Sequence, residues 1–172
     1  LSQRDLLLEW AQPDALYLKE RPSALLPGSL WAFNLKTKTF ATVIKNEPGL
    51  IVAWSPSGTE GLKFTNSGTK ENALAMIDAR NQLLTPIITT TLPSKCAFTS
   101  SDLYCAVPEE IPAAALLPDD YLKHQVYFRD IIYVLPLIDG GRGGVLNLPV
   151  TIFDARAAEF ETPIDADQLQ AH

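Results

Sequence analysis

Few residues in this chain are of types that do chemistry, so their spacing decides what they can be. There are two histidines, His124 and His172, and two cysteines, Cys96 and Cys105, too few for a closed structural zinc site. His124 follows Lys123 and lies near Asp119, Asp120 and Tyr121. A catalytic imidazole needs a nucleophile or an orienting carboxylate, and the sequence identifies neither, so a solvent-facing histidine is expected. No Gly-x-Ser-x-Gly elbow, His-Glu-x-x-His run or Walker-type loop occurs. Glu109, Glu110, Asp119 and Asp120 could bracket a calcium ion, but they lack the Asp-x-Asp-x-Asp-Gly spacing that aims oxygen ligands. They read as a solvated acidic loop. Asp165 and Asp167 would share one face of a strand and repel there, so they are expected exposed. Gly140-Gly141-Arg142-Gly143-Gly144 joins two strand-like runs rather than leading into a helix, which makes it a hairpin turn and not a phosphate cradle. No catalytic residue, metal or cofactor is expected.

The elements that must position these residues follow from composition and repetition. With 172 residues, 47 % of them apolar and 20 % charged, the chain can build a core and is neither disordered nor a coiled coil. Fourteen basic against twenty acidic side chains, with no basic stripe, make nucleic acid an unsuitable partner. No apolar run reaches the roughly 18–20 residues of a membrane span. The chain opens on Leu1 rather than Met, which reads as a processed, truncated or partial chain.

Short apolar runs separated by polar turns dominate. Leu30-Trp31-Ala32-Phe33-Asn34-Leu35 is followed by a turn at 36–39 and a second run at 40–44, and further runs occupy 50–54 and 62–65. Leu74 follows Leu30 by 44 residues, and Phe98 follows Trp54 by the same 44. Ile132 follows Leu74 by 58, which fits if the Pro-rich, acidic stretch 108–130 is an insertion of roughly fourteen residues. Four strands per 40–45 residues is the period of a β-propeller blade. Runs 50–54 and 103–107 are apolar at nearly every position, as strands covered on both faces are.

The expected fold is therefore all-β, part of a β-propeller with four-stranded antiparallel blades. Residues 1–28 are read as the end of a preceding blade, with 6–10 and 15–18 as its strands. One blade follows at 29–72, its four strands spanning 29–65. The next covers 73–130, with strands at 73–107 and the inserted loop 108–130. A partial blade occupies 131–172, and an open edge is expected near one or both ends. Trp31 and Trp54 fall at repeat positions and are expected to pack between blades, whereas Trp10 has no assigned role.

Leu30 through Thr37, followed by Trp54-Ser55-Pro56-Ser57-Gly58, resembles the strand and Ser-Pro-Asp-Gly turn units of bacterial TolB-type and WD-like propellers. The segment 95–112 is similar to a unit recurring in surface-exposed members of that group. The resemblance covers 16–172; Ser57 stands where the family usually carries Asp, and the second copy replaces the turn by 99–102. It implies the fold rather than an activity, because propellers host enzymes, receptors and scaffolds alike.

Cys96 and Cys105 flank the turn at Ser100-Ser101 symmetrically. In a regular hairpin they face one another with Cα atoms about 4.5–5.5 Å apart, within reach of a disulfide. An oxidising exterior would favour that bond. The leading functional expectation is a non-catalytic binding or scaffold module, extracytoplasmic, whose partner is another protein or further propeller blades. Its recognition loop would be the insertion, presenting Glu109, Glu110, Ile111, Leu116 and Leu117, then Asp119, Asp120, Tyr121, His124 and Tyr127. The plainer reading is that the insertion only covers a blade edge. Two rivals are a carbohydrate-active propeller enzyme whose carboxylates lie largely outside this chain, and a structural subunit assembling through open blade edges.

Overall fold

The computed structural model describes residues 5–66, 72–137 and 150–154. Twelve strands, one short α-helix and one 3-10 turn (Pro93–Lys95) fall among them. Strands β1 (Leu6–Gln12), β2 (Ala15–Glu20), β3 (Pro27–Asn34) and β4 (Thr39–Pro48) form one antiparallel sheet in sequence order. Strands β5 (Ile51–Trp54), β6 (Glu60–Asn66), β7 (Asn72–Asp78) and β8 (Leu83–Ile87) form a second. Strands β9 (Cys96–Phe98), β10 (Asp102–Pro108), β11 (Asp130–Pro136) and β12 (Val150–Asp154) form a third, with helix α1 (Asp119–Leu122) between β10 and β11. The sheets begin at Leu6, Ile51 and Cys96, a constant step of 45 residues.

The tight turns repeat their chemistry as well as their position. Asn34 Oδ1 accepts hydrogen bonds from the backbone N–H of Lys36 and Thr37, both at 2.9 Å, between β3 and β4. Asp78, 44 residues on, does the same for Arg80 and Gln82 between β7 and β8, both at 2.8 Å. A short side-chain oxygen satisfies the turn backbone where no ladder can. Between β5 and β6 the chain reverses at Gly58, whose φ of +69° and close approach to the Ala11 carbonyl leave no room for a Cβ. Ser57 Oγ, where the resembled family carries a carboxylate, bonds the hydroxyls of Ser55 and Thr59 at 3.0 and 2.8 Å.

The sheets stack face to face. Tyr17, Leu30 and Ile44 of the first meet Val52, Trp54 and Ile77 of the second, joined by Leu50 from the link between them. The rings of Tyr17 and Trp54 lie 4.6 Å apart. The opposite face of the second sheet, with Leu62, Phe64, Leu74 and Met76, meets Leu103, Cys105 and Leu135 of the third. Both faces of the second sheet are thus covered, which is why 50–54 reads as continuously apolar rather than alternating.

The blade limits expected from sequence differ from this pairing by two strands. Residues 6–10 and 15–18 belong to the same sheet as β3, through the pairs Leu8↔Leu18 and Leu18↔Trp31. The run 131–137, expected to open a blade, is the third strand of the last sheet. The link 48–50, expected to lie inside a blade, carries the chain from one sheet to the next at Gly49, where φ is +67°. Conversely, Asn66 pairs with Asn72, so the expected boundary there falls between two paired strands of one sheet. A repeat fixes a period but not where its unit begins. The glycine run 140–144, Asp165, Asp167 and His172 lie outside the described residues.

Burial, and secondly the Glu9 carboxylate, raise the pKa of the Tyr17 phenol above its ordinary 10.0. The unfolded chain therefore ionises first on the alkaline side, and the tyrosine's contribution to stability is complete below about pH 10 and lost as pH rises through the higher folded value. Denaturant midpoints measured from pH 8 to 11 should fall beyond pH 10, and Tyr17→Phe should flatten that fall.

Candidate functional site

The insertion between β10 and β11 is the one large departure from the repeat, and it folds as a strap across the ends of all three sheets. The ladder closes beneath it at Pro108↔Asp130, and Glu109 donates its N–H to the Arg129 carbonyl at 2.8 Å. The turn at Pro112–Ala115, the single helical turn of α1 and the left-handed residue His124 (φ 55°) then bend the chain back. Leu116 donates its N–H to Asp120 Oδ2 at 2.8 Å, which anchors the start of that turn.

One side of the strap belongs to the core. Leu117 and Tyr121 are buried with Phe128 against the second and third sheets. The rings of Tyr121 and Phe128 stack in parallel at 5.5 Å. Beneath them sits Lys95, wholly buried, its Nζ 2.5 Å from Asp130 Oδ2 and 4.8 and 5.3 Å from the two ring centroids. A buried ammonium is tolerated here because a carboxylate and two ring faces replace its water. Two further bonds reach the other sheets. Asn66 Nδ2 at the end of β6 donates to the Leu117 carbonyl at 3.0 Å, and Asp119 Oδ2 accepts the backbone N–H of Ala24 in the β2–β3 link.

The expected recognition residues therefore divide. Leu117 and Tyr121 face inward, a correction: Tyr121 lies on the core side of α1, and Leu117, just ahead of that turn, packs into the same cluster. Ile111 is half-buried against the same cluster, and Asp119 and Asp120 spend carboxylate oxygens on backbone N–H groups. Glu109, Glu110, Leu116, His124 and Tyr127 remain at the surface, Tyr127 with 70 % of its area exposed and its ring 6.4 Å from that of His124. The four acids do not converge: among the described residues no three His, Cys, Asp or Glu side chains gather as metal ligands would.

Lys95 and Asp130 were not singled out by sequence reasoning. The available signal was a lysine inside the strand-leading run Leu92-Pro93-Ser94-Lys95-Cys96 and an aspartate abutting Ile131-Ile132-Tyr133. Opposite charges each entering an apolar run can be partners in the core. Beside this pair, Cys96 and Cys105 face one another across β9 and β10 and are joined by a disulfide, with Cα atoms 4.1 Å apart. That is closer than the separation expected from a regular hairpin.

No family model and no curated protein sequence matches this chain. Among solved structures it is similar to the β-propeller domain of the trilobed protease from Pyrococcus furiosus, described as having an open velcro topology. The TM-score is 0.53 at 7 % identity, over 86 % of this chain and 43 % of that one. The fold is that of a β-propeller. The three sheets are blades, and the chain spans less than half the length of the propeller it matches. At this identity the likeness concerns architecture alone.

Removing the Lys95 cation takes away the charge that balances a buried carboxylate. Lys95→Met should cost about 3–5 kcal/mol in denaturant unfolding, and the double variant Lys95→Met/Asp130→Leu should recover most of that loss. The disulfide closes a short loop, so Cys96→Ala/Cys105→Ala should lower stability by about 2–3 kcal/mol in the same measurement.

Proposed function

We propose that this chain is a non-catalytic β-propeller module for protein binding or scaffolding, working outside the cytoplasm, with the outer side of the strap as its recognition surface. The observation that carries this is the strap's division into two sides. The inner side is pinned to all three blades, while the outer side leaves Leu116, Leu122 and Tyr127 exposed, beside the exposed Leu25 and Leu26 of the link held by Asp119. Large apolar side chains on a loop that is rigidly held favour binding, since little conformational entropy remains to be lost. Glu109 and Glu110 add negative charge nearby, which suits a partner that joins apolar and basic groups.

The non-catalytic reading draws on how the strap's polar groups are used. Its central carboxylates are committed to backbone N–H groups, and among the described residues no three His, Cys, Asp or Glu side chains gather. The extracytoplasmic reading draws on the Cys96–Cys105 bond, since structural disulfides persist in oxidising compartments. The likeness of its turns to those of bacterial TolB-type propellers points the same way. No helix among the described residues is long and apolar enough to cross a membrane.

The test is selection of binders from a displayed peptide library on the intact chain, followed by titration against the triple variant Leu116→Ser/Leu122→Ser/Tyr127→Ser. Selected peptides rich in apolar and basic residues should lose at least tenfold in affinity, about 1.4 kcal/mol, while the melting temperature stays unchanged. Peptides that bind the variant as well as the parent would overturn the strap as the recognition surface.

A further inference from the structure

The last strand of each blade, β4, β8 or β12, pairs on one side only among the described residues. In an antiparallel ladder every second residue of such a strand turns its N–H and C=O away from its neighbour, which makes it a template for another strand. Two of the three are guarded. β8 has five residues and carries Pro86, which has no N–H to offer, and β12 has five and ends on Asp154. β4 has ten, and its stretch Thr39-Phe40-Ala41-Thr42-Val43-Ile44 contains no charge, proline or glycine. Thr39, Phe40, Ala41 and Thr42 are exposed and hold a regular register with β3, from Asn34↔Thr39 to Trp31↔Thr42; the register shifts only beyond them.

The residues at its two ends indicate what fits there. Lys38 stands just before β4 and Lys45 near its far end, both exposed, in a chain of net charge −6. Seven residues separate them, roughly 20–24 Å along a strand. This spacing disfavours a second copy of β4. Antiparallel pairing centred on Ala41 or Thr42 would bring Lys38 of one copy within a residue of Lys45 of the other at both ends, and parallel pairing would set each lysine beside its equal. Like charges placed together across strands are destabilising, whereas a carboxylate at each end of the incoming strand is stabilising. Between the lysines, Phe40 has 65 % of its area exposed and its ring lies 4.7 Å from that of Phe33. Aromatic and β-branched side chains pair well beside such a ring.

We infer that the outer edge of β4 is a strand-addition site, and that its occupant is an extended segment of a partner protein. That segment carries β-branched or aromatic residues at alternate positions and an acidic residue at each end, opposite Lys38 and Lys45. Main-chain hydrogen bonds supply the affinity, and the alternate side chains and end charges supply the selection. The site rests on the pairing and charge pattern of β4, not on the strap, so either can fail without the other.

The probe is the synthetic peptide Glu-Val-Thr-Val-Thr-Val-Thr-Glu, titrated against the intact chain with backbone hydrogen exchange read by mass spectrometry. Binding should slow exchange over 39–44 several-fold and leave the strap unchanged. Two N-methylated forms, each lacking one alternate set of backbone N–H groups, separate strand addition from side-chain contact. One should lose about tenfold or more in affinity, and the other should bind nearly as the parent peptide does. Replacing both end residues of the peptide by Lys should also cost about tenfold, and Lys38→Glu/Lys45→Glu in the protein should reverse that preference. The same affinity for both methylated forms, indifference to the end charges, or protection at Leu116 and Tyr127 instead of 39–44 would overturn the inference. So would slow exchange at every amide of 39–44 in the chain alone, because the edge would then already be occupied.

Discussion

A four-stranded sheet has two faces, and a chain of this composition cannot leave both wet. That constraint organises the molecule. The second blade satisfies it fully, with Trp54 and Val52 toward the first blade and Phe64, Leu74 and Met76 toward the third. Burying a large apolar side chain contributes roughly 1.5–3 kcal/mol, and each blade contact gathers several such residues. Stability in such an array is carried by neighbour contacts rather than by a single central core, so each blade is only as secure as the surfaces on its two sides.

The third blade secures its contact differently from the others. Its first strand has three residues, against seven in β1 and four in β5. A three-residue edge strand has little ladder to hold it. Three fastenings compensate around it: the Cys96–Cys105 disulfide, the Lys95–Asp130 pair and the strap residues Leu117, Tyr121 and Phe128. The ion pair is worth most as a lock on geometry. Lys95 ends the turn that leads into β9 and Asp130 opens β11, so their contact ties the start of the edge strand to the end of the strap.

The period of the fold was legible in the residues, and its phase was not. Leu30, Leu74 and Ile132 do occupy the third strand of successive blades, and Trp54 and Phe98 the first. Equivalences of this kind survive any choice of starting strand. What decides the start is whether a turn pairs its flanking strands or carries the chain across to a new sheet, and Pro48-Gly49 and the stretch after Asn66 look alike as turn-forming sequence. For the strap, composition showed that something was inserted but not which side chains turn inward. Tyr121 reaches the core because one turn of helix sets its direction, and Leu117 enters the same cluster from just ahead of that turn; four helical residues are too few to register as a helical pattern.

The strap also shows why an insertion at this point is inexpensive. The corresponding link in the first blade, between Glu20 and Pro27, is short, whereas the strap runs from Pro108 to Asp130. Lengthening a loop by that factor adds only roughly 1 kcal/mol of closure entropy. A single buried aromatic such as Phe128 can offset that, and Leu117, Tyr121 and the Asn66 bond come in addition. Once the inner side has compensated for its own ordering, the outer side is held in place at no further entropic cost. Leu116, Leu122 and Tyr127 are then free to vary in type without unfolding the blade beneath them, which is the physical condition for a loop to acquire a partner while the repeat keeps the fold.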